Sequence, residues 1–286
     1  MITHDNFCVF ILTNGRPNNV KTLSALKRAG YTGKIYLVVD NLDKTAEEYK
    51  KNFGDKVIIF DKAEVAAYTD SGDNFNNWKA IIYARNACFN IAKQLNIEYF
   101  IQLDDDYQKF QYRRDISGEY SYKGMTNMDM VFNAMLDFYK SVPNLLSISM
   151  AQGGDFIGGS EGQHAQKRTL IRKCMNSFLC SVHRPFLFFG KINEDVNTYT
   201  NLASKGGLFL TTTDISLVQT QSQKQSGGMT GLYLDGGTYV KSFYSVMYQP
   251  SSVKISCMGN KDYRIHHSVT WRNTTPVILS EDFKKK

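Results

Sequence analysis

The chain has 286 residues, 42% of them hydrophobic and 21% charged, values ordinary for a soluble globular protein with one large α/β domain or two small ones. No stretch approaches the roughly 18 to 20 apolar residues of a membrane helix, and "MITHDNFCVFILTNG" lacks the basic start and long apolar run of a signal peptide; the expectation is a cytoplasmic protein with no membrane partner. The net charge of +7 and pI near 9.0 favour polyanionic partners without excluding an ordinary enzyme.

In chain order, "FCVFIL" (7–12) is a β-prone run that ends in the polar turn "TNGRPNN". "VKTLSALKRAG" has apolar residues at helical spacing and Gly30 as its stop. "KIYLVVD" (34–40) is a second strand, "KTAEEYKKNFG" a helix closed by Gly54, and "KVIIFD" (56–61) a third strand. "NNWKAIIYARNACFNIAKQLN" (76–96) is a long amphipathic helix feeding a fourth strand, "EYFIQLDDD". A helix at 127–142 and the strand "NLLSISMAQ" follow. Continuous apolar strands alternating with helices predict a parallel, doubly wound sheet whose ligands gather beyond the strands' carboxyl ends.

After residue 150 the texture changes. "GGDFIGGSEGQ" is glycine-rich, and "NSFLCSVHRPFLFFG" reads as one or two strands turned at Pro185. "SKGGLFLTTTDISLVQ" and "DGGTYVKSFYSVMYQPSSVKISC" read as β-structure. Segments 153–162 and 220–231 are lids or plain loops. The five cysteines are odd in number, spread out and without a CxxC pair, so reduced, mostly buried thiols are expected. Cations cluster in "KFQYRRD" (109–115), "HAQKRTLIRK" (164–173) and the tail "DFKKK". Interleaved with aromatics they suit a nucleic-acid backbone; otherwise they are solvated helix faces.

The chemistry concentrates at Asp104, Asp105 and Asp106, three like charges at the exit of a buried strand. Such charges repel unless neutralised. An isolated triplet is most simply a solvated turn, but at the ligand edge of a parallel sheet it suits Mn²⁺ or Mg²⁺, which take oxygen ligands and leave positions open for substrate phosphates.

"YARNACFNIAKQLNIEYFIQLDDDY" resembles nucleotide-sugar glycosyltransferases of the GT-A fold, in which an Asp-any-Asp motif ends the fourth strand after a helix containing Ala-Arg-Asn. "ILTNGRPNNVKTLSALKRAGYTGKIYLVVDN" is more specific and resembles the TET-associated glycosyltransferases of bacteriophages, which transfer sugars to 5-hydroxymethylpyrimidines in DNA. The resemblance implies a single Rossmann-like α/β domain, with a mainly parallel mixed sheet flanked by helices and an elaborated β-containing C-terminal half. Residues 1–150 would bind the UDP-sugar and 151–286 the acceptor, DNA carrying 5-hydroxymethylcytosine, in the host cytoplasm if the chain is phage-encoded. Thr13, Asn14, Gly15 and Arg16 would meet the nucleotide, the turn offering exposed backbone amides. Asp40 would bind the uridine or ribose hydroxyls, or be a plain turn residue. Arg85 would lie near the diphosphate or base, or on a helix surface. Asp104 and Asp105 would belong to the donor site, and Asp106 would hold the metal. Glu194 and Asp195 would supply the general base on the acceptor hydroxyl, or be a helix-start acid pair. His266 or His267 would add a metal ligand, one rather than both because neighbouring strand residues face opposite ways; His267 is preferred. His164 and His183 are taken as bystanders.

Three rivals remain at this level. The same chemistry on a glycan or protein acceptor would bind DNA weakly and without steep salt dependence. A nucleotidyltransferase needs a better phosphate loop than "TNGRPNN". A non-catalytic DNA-binding module on a transferase fold would tolerate loss of Asp104 and Asp106.

Overall fold

Strand β1 (Phe7–Leu12) is buried at every position, with Phe7, Val9 and Ile11 in one apolar cluster and Cys8, Phe10 and Leu12 in another. Successive strand side chains face opposite ways, so a continuously apolar strand requires cover on both sides. Each such fully buried Phe, Leu or Ile contributes about 1.5–3 kcal/mol. The computed structural model describes residues 6–73, 77–219, 230–258 and 264–277.

The expected alternation follows: α1 (Lys21–Arg28), β2 (Lys34–Asp40), α2 (Ala46–Phe53), β3 (Val57–Phe60), the short α3 (Lys62–Ala66), α4 (Ile82–Gln94) and β4 (Tyr99–Asp104). These strands pair in parallel in the order β3-β2-β1-β4. The order reverses between β1 and β4, the switch point at which an open α/β sheet leaves a crevice for ligand. The register sets Leu12 beside Asp104, so the turn from Thr13 and the acidic triplet emerge side by side.

Gly30 closes α1 at φ +78°, and a Cβ there would collide with the Thr126 carbonyl oxygen. Left-handed strain and that clash together make Gly30→Ala destabilising by about 2 kcal/mol or more, measurable as a lowered denaturation midpoint at unchanged slope.

The rest of the chain extends the sheet. It comprises β5 (Tyr107–Arg114), β6 (Tyr120–Gly124), α5 (Met128–Ser141), β7 (Leu145–Gln152), α6 (Gln163–Gln166), β8 (Leu170–Ile171), β9 (Ser177–Ser181), α7 (Glu194–Ser204), β10 (Leu208–Gln219), α8 (Thr230–Tyr248), β11 (Val253–Met258) and β12 (Arg264–Val269). The ten-stranded sheet continues β4-β9-β7-β10-β5-β6, with β8 on β10. Strands β9, β5 and β8 run against the others, giving the expected mixed α/β sheet flanked by helices. One apolar cluster lies under α1, α2 and α5, the other under α4 and α7. Among the described residues no helix is long and apolar enough to cross a membrane, and Cys8, Cys88, Cys174 and Cys180 are buried free thiols while Cys257 is exposed.

Several local expectations are corrected. The basic run 109–115 is not a solvated helix face; it is most of β5, which pairs with β6. There Arg113 is buried over the Phe156 ring, 4.2 Å away, and Arg114 pairs with Asp214 at 3.5 Å. Of the one or two strands expected in 176–190, one forms, β9. Helix α4 starts at Ile82 rather than 76; of the residues before it, 74–76 lie outside the described residues. Residues 230–248, expected in part as β-structure, form α8. Its C-terminal half shows why: Tyr244 and Tyr248, one helical turn apart, donate to Asp73 (2.9 Å) and Asp70 (3.0 Å). Most of 220–231 and the basic tail 282–286 lie outside the described residues.

Candidate active site

A cavity of about 940 Å³ opens at the switch point. Its walls include Thr13, Asn14, Arg16, Asp40, Arg85, Asp104, Asp105, Asp106, Glu194, Asp195, His266 and His267. Residues far apart in sequence thus meet in one place; of the candidates, only Gly15 is outside the lining.

The backbone of the triplet is pinned by α1. The Thr22 hydroxyl donates to the Asp104 carbonyl (2.6 Å) and accepts from the Tyr107 amide (3.0 Å), while the Thr22 amide donates to the Asp105 carbonyl (3.2 Å). The three side chains then diverge. Asp104 accepts from Arg85 Nη2 (3.2 Å); burial, opposed by Arg85 and reinforced by Asp106 and Glu194, pushes its carboxyl up to about 7. Asp105 is committed within the protein, to Thr13 Oγ1 (2.7 Å) and Arg16 Nη1 (3.0 Å). Asp106 receives a long bond from Gln219 Nε2 (3.5 Å); burial first, then the Asp105 charge, raises its carboxyl to about 6.

The turn after β1 offers side chains rather than the expected amides. The Gly15 amide is taken by Asp43 Oδ2 (2.7 Å) and the Arg16 amide by the Tyr49 hydroxyl (2.8 Å). Asp40 accepts from Asn14 Nδ2 (3.0 Å), Lys62 Nζ (3.0 Å) and the Leu42 amide (3.1 Å). It anchors the turn from its end of β2.

Arg85 is not on a helix surface: it is 1% exposed. Its guanidinium lies over Phe178 (4.8 Å) and Phe188 (5.7 Å) and bridges Asp104 to Glu194, the latter at 3.1 Å from Nε. A buried cation between two carboxylates ties the strand-end motif to the first turn of α7. Glu194 and Asp195 are the opening residues of α7, after Asn193 at φ +54°. Their environments differ. Glu194 is held by Arg85; among the described residues Asp195 accepts from its neighbour's amide alone, Val196 N, at 2.7 Å. Burial and the Glu194 charge push the Asp195 carboxyl up to about 7.

His266 and His267 both line the cavity, their ring centroids 4.3 Å apart, although neighbouring strand residues start out on opposite faces. The rings extend far enough from β12 to lean together. His267 Nδ1 lies 3.4 Å from Asn193 Nδ2. Burial, then His266 and Lys241, lowers its pKa to about 4, so the ring is neutral, as a ligand must be. Among the described residues no three His, Cys, Asp or Glu side chains converge on a common metal position. That still fits a Mg²⁺- or Mn²⁺-like ion, which is held by one or two protein groups and completes its shell with water and substrate phosphate.

Lys62, Asp43, Tyr49, Asn193, Lys173, Gln219 and Lys241 also belong to this neighbourhood and were not singled out by sequence. Asp43 had a faint signal, three residues beyond the strand-end Asp40; the others had none.

The model of the TET-associated glycosyltransferase family matches residues 7–228 of this chain. No curated protein matches it significantly. Among solved structures, a mycobacterial protein aligns at 6% identity with a TM-score of 0.47, over 92% of this chain and 84% of its own. S. aureus TarS 1–349 in complex with UDP aligns at 12% identity, TM-score 0.44, over 76% and 61%, and GalNAc-T7 with UDP, GalNAc and Mn²⁺ at 12%, TM-score 0.42, over 75% and 43%. This chain thus spans less than two thirds of the latter two. With the family matched across the acidic triplet, Arg85 and the α7 acids alike, the chain belongs to the TET-associated glycosyltransferases and is a glycosyltransferase.

Proposed function

We propose that the protein transfers a sugar from a UDP-sugar to the hydroxymethyl group of a 5-hydroxymethylpyrimidine in DNA, 5-hydroxymethylcytosine being the preferred base, with a bound divalent cation. The carrying observation is that Arg16, Asp104 and Asp106 share one cavity with Asp195, whose carboxyl is poised near neutrality. In this reading residues 1–150 form the donor half and 151–286 the acceptor half of a single domain.

Arg16 and Asn14 meet the nucleotide, and Asp104 reaches the ribose or sugar. Asp106, with His267, would hold Mn²⁺ or Mg²⁺, whose chemistry is to neutralise the diphosphate leaving group. Asp195 takes the proton of the acceptor hydroxyl as its oxygen forms the new bond to the sugar's anomeric carbon; the bond from that carbon to the diphosphate breaks, and UDP departs with its electron pair. Asp195 is the better base of the pair because Glu194 is held by Arg85, and a base is most effective with a pKa near the working pH. The +7 net charge supports a polyanionic acceptor.

The test is to incubate the protein with Mn²⁺, a panel of UDP-sugars and DNA containing 5-hydroxymethylcytosine, then weigh the digested nucleosides. A sugar-sized mass gain is expected, falling at least about a hundredfold in Asp106→Ala, in line with loss of a charge-stabilising group. UDP release without modified DNA would replace DNA by a glycan or protein acceptor. Silence on both would end the donor assignment.

A further inference from the structure

The Thr13–Arg16 turn and the middle aspartate of the triplet are joined by a third party, Tyr49 of α2, which is fully buried. Its hydroxyl lies 2.6 Å from Thr13 Oγ1 and accepts the Arg16 amide at 2.8 Å. Thr13 Oγ1 lies 2.7 Å from Asp105 Oδ2, and Arg16 Nη1 lies 3.0 Å from Asp105 Oδ1. The directions of these bonds follow from counting protons. An ionised carboxylate only accepts, so the single Thr13 hydroxyl proton points to Asp105. Tyr49 must then donate to Thr13, and its oxygen is left to receive the Arg16 amide. The result is a closed ring in which Arg16 donates at both ends: its N–H to Tyr49, Tyr49 to Thr13 and Thr13 to Asp105, while the Arg16 guanidinium donates to the other Asp105 oxygen.

From the Arg16 amide through Tyr49 and Thr13 to Asp105 the bonds are polarised in one sense, which strengthens them, and the Arg16 guanidinium closes the ring by donating to the same carboxylate. Arg16 is gripped at both ends, backbone and guanidinium, so its side chain is held to one orientation at the cavity wall. Its Nε is buried without a hydrogen-bond partner among the described residues.

We infer that Tyr49 is a positioning residue of the nucleotide site: through Thr13 and Asp105 it orients Arg16 toward the diphosphate of the donor, and Asp105 serves this ring rather than touching donor or metal. The inference rests on the UDP-sugar reading. It separates the three aspartates by role, with Asp104 and Asp106 turned to the ligand and Asp105 to the scaffold.

The test uses Tyr49→Phe, which deletes one oxygen and keeps the ring packing. Tyr31→Phe serves as the control, since the buried Tyr31 hydroxyl donates to the Lys34 carbonyl (3.1 Å) away from the cavity. UDP binding is measured by calorimetry, and backbone exchange over residues 13–16 by mass spectrometry on the free proteins. Tyr49→Phe should weaken UDP roughly five- to tenfold, the worth of a hydrogen bond lost from a charged network, and speed exchange over 13–16. It should raise the donor KM while kcat at saturating donor stays within about twofold, a split that a general loss of stability does not produce. Tyr31→Phe should leave all of these at wild-type values. Unchanged exchange and unchanged UDP affinity in Tyr49→Phe would overturn the inference. Wild-type protein that does not bind UDP would overturn the donor reading and the positioning role with it, while exchange over 13–16 still reports whether the ring exists.

Discussion

Asp195→Asn is expected to slow sugar transfer about 10²- to 10⁴-fold, the usual contribution of a positioned general base, with UDP affinity and fold retained. Asparagine keeps an oxygen that can accept the Val196 amide, as Asp195 does at 2.7 Å, so the start of α7 survives and only the proton acceptor is lost. Glu194→Gln should cost less in rate, because its partner is Arg85 rather than the acceptor. Burial and the Glu194 charge lift the Asp195 carboxyl to about 7. The groups facing it are Glu194 on its own helix, Arg85 from α4, Lys241 from α8, and Tyr199 and Cys174. A base works in its ionised form, so the wild-type kcat/KM should rise with pH through about 7 and level off above it. That limb should vanish in Asp195→Asn. A variant that keeps both the limb and the rate would shift the role to Glu194.

Arg85→Met should lower stability by about 3–5 kcal/mol, the cost of stranding buried carboxylates by removing their cation. Methionine fills much of the space between Phe178 and Phe188, so the loss is electrostatic in origin rather than a cavity effect. Asp104 and Glu194 would face each other across that space without the guanidinium that now binds both. Urea denaturation of wild type and variant measures the difference. A loss under about 1 kcal/mol would mean that water or rearranged groups neutralise the acids, and that Arg85 is not the link between β4 and α7. Activity should fall as well, since the two acids that it aligns belong to opposite walls of the cavity.

Much of this architecture was legible because it is written in local pattern. The strands β1 to β4 are apolar at nearly every position, a texture that only a sheet covered on both faces explains. The acidic triplet at the exit of β4 and the acid pair opening α7 could be read as site candidates because each breaks the pattern around it. Elements whose sequence is ambiguous fared worse. The hairpin β5–β6 hides its strand character under basic residues, and Arg113 is accommodated in a buried place only because Phe156, Tyr120 and Ser216 lie around it. In α8 the β-branched and aromatic residues favour a strand, but Tyr244 and Tyr248 repeat every four residues, and bonds to Asp73 and Asp70 reward the helix. Tertiary contact overrides propensity there.

By itself, then, the sequence determined the parallel strands β1 to β4, the crevice at their carboxyl ends and the acids, Arg85 and histidines that gather in it. Only the tertiary structure decided how those residues divide the work. Adjacent aspartates look alike in sequence; what separates them is where each side chain points, Asp104 to Arg85, Asp105 to Thr13 and Arg16, Asp106 to Gln219. Glu194 and Asp195 are likewise told apart by Arg85, which lies more than a hundred residues away in the chain. Both histidines reach the cavity for the same reason. Local sequence sets backbone conformation and the side a residue prefers to bury, whereas charge and hydrogen bonding act through space between partners that only the folded chain brings together.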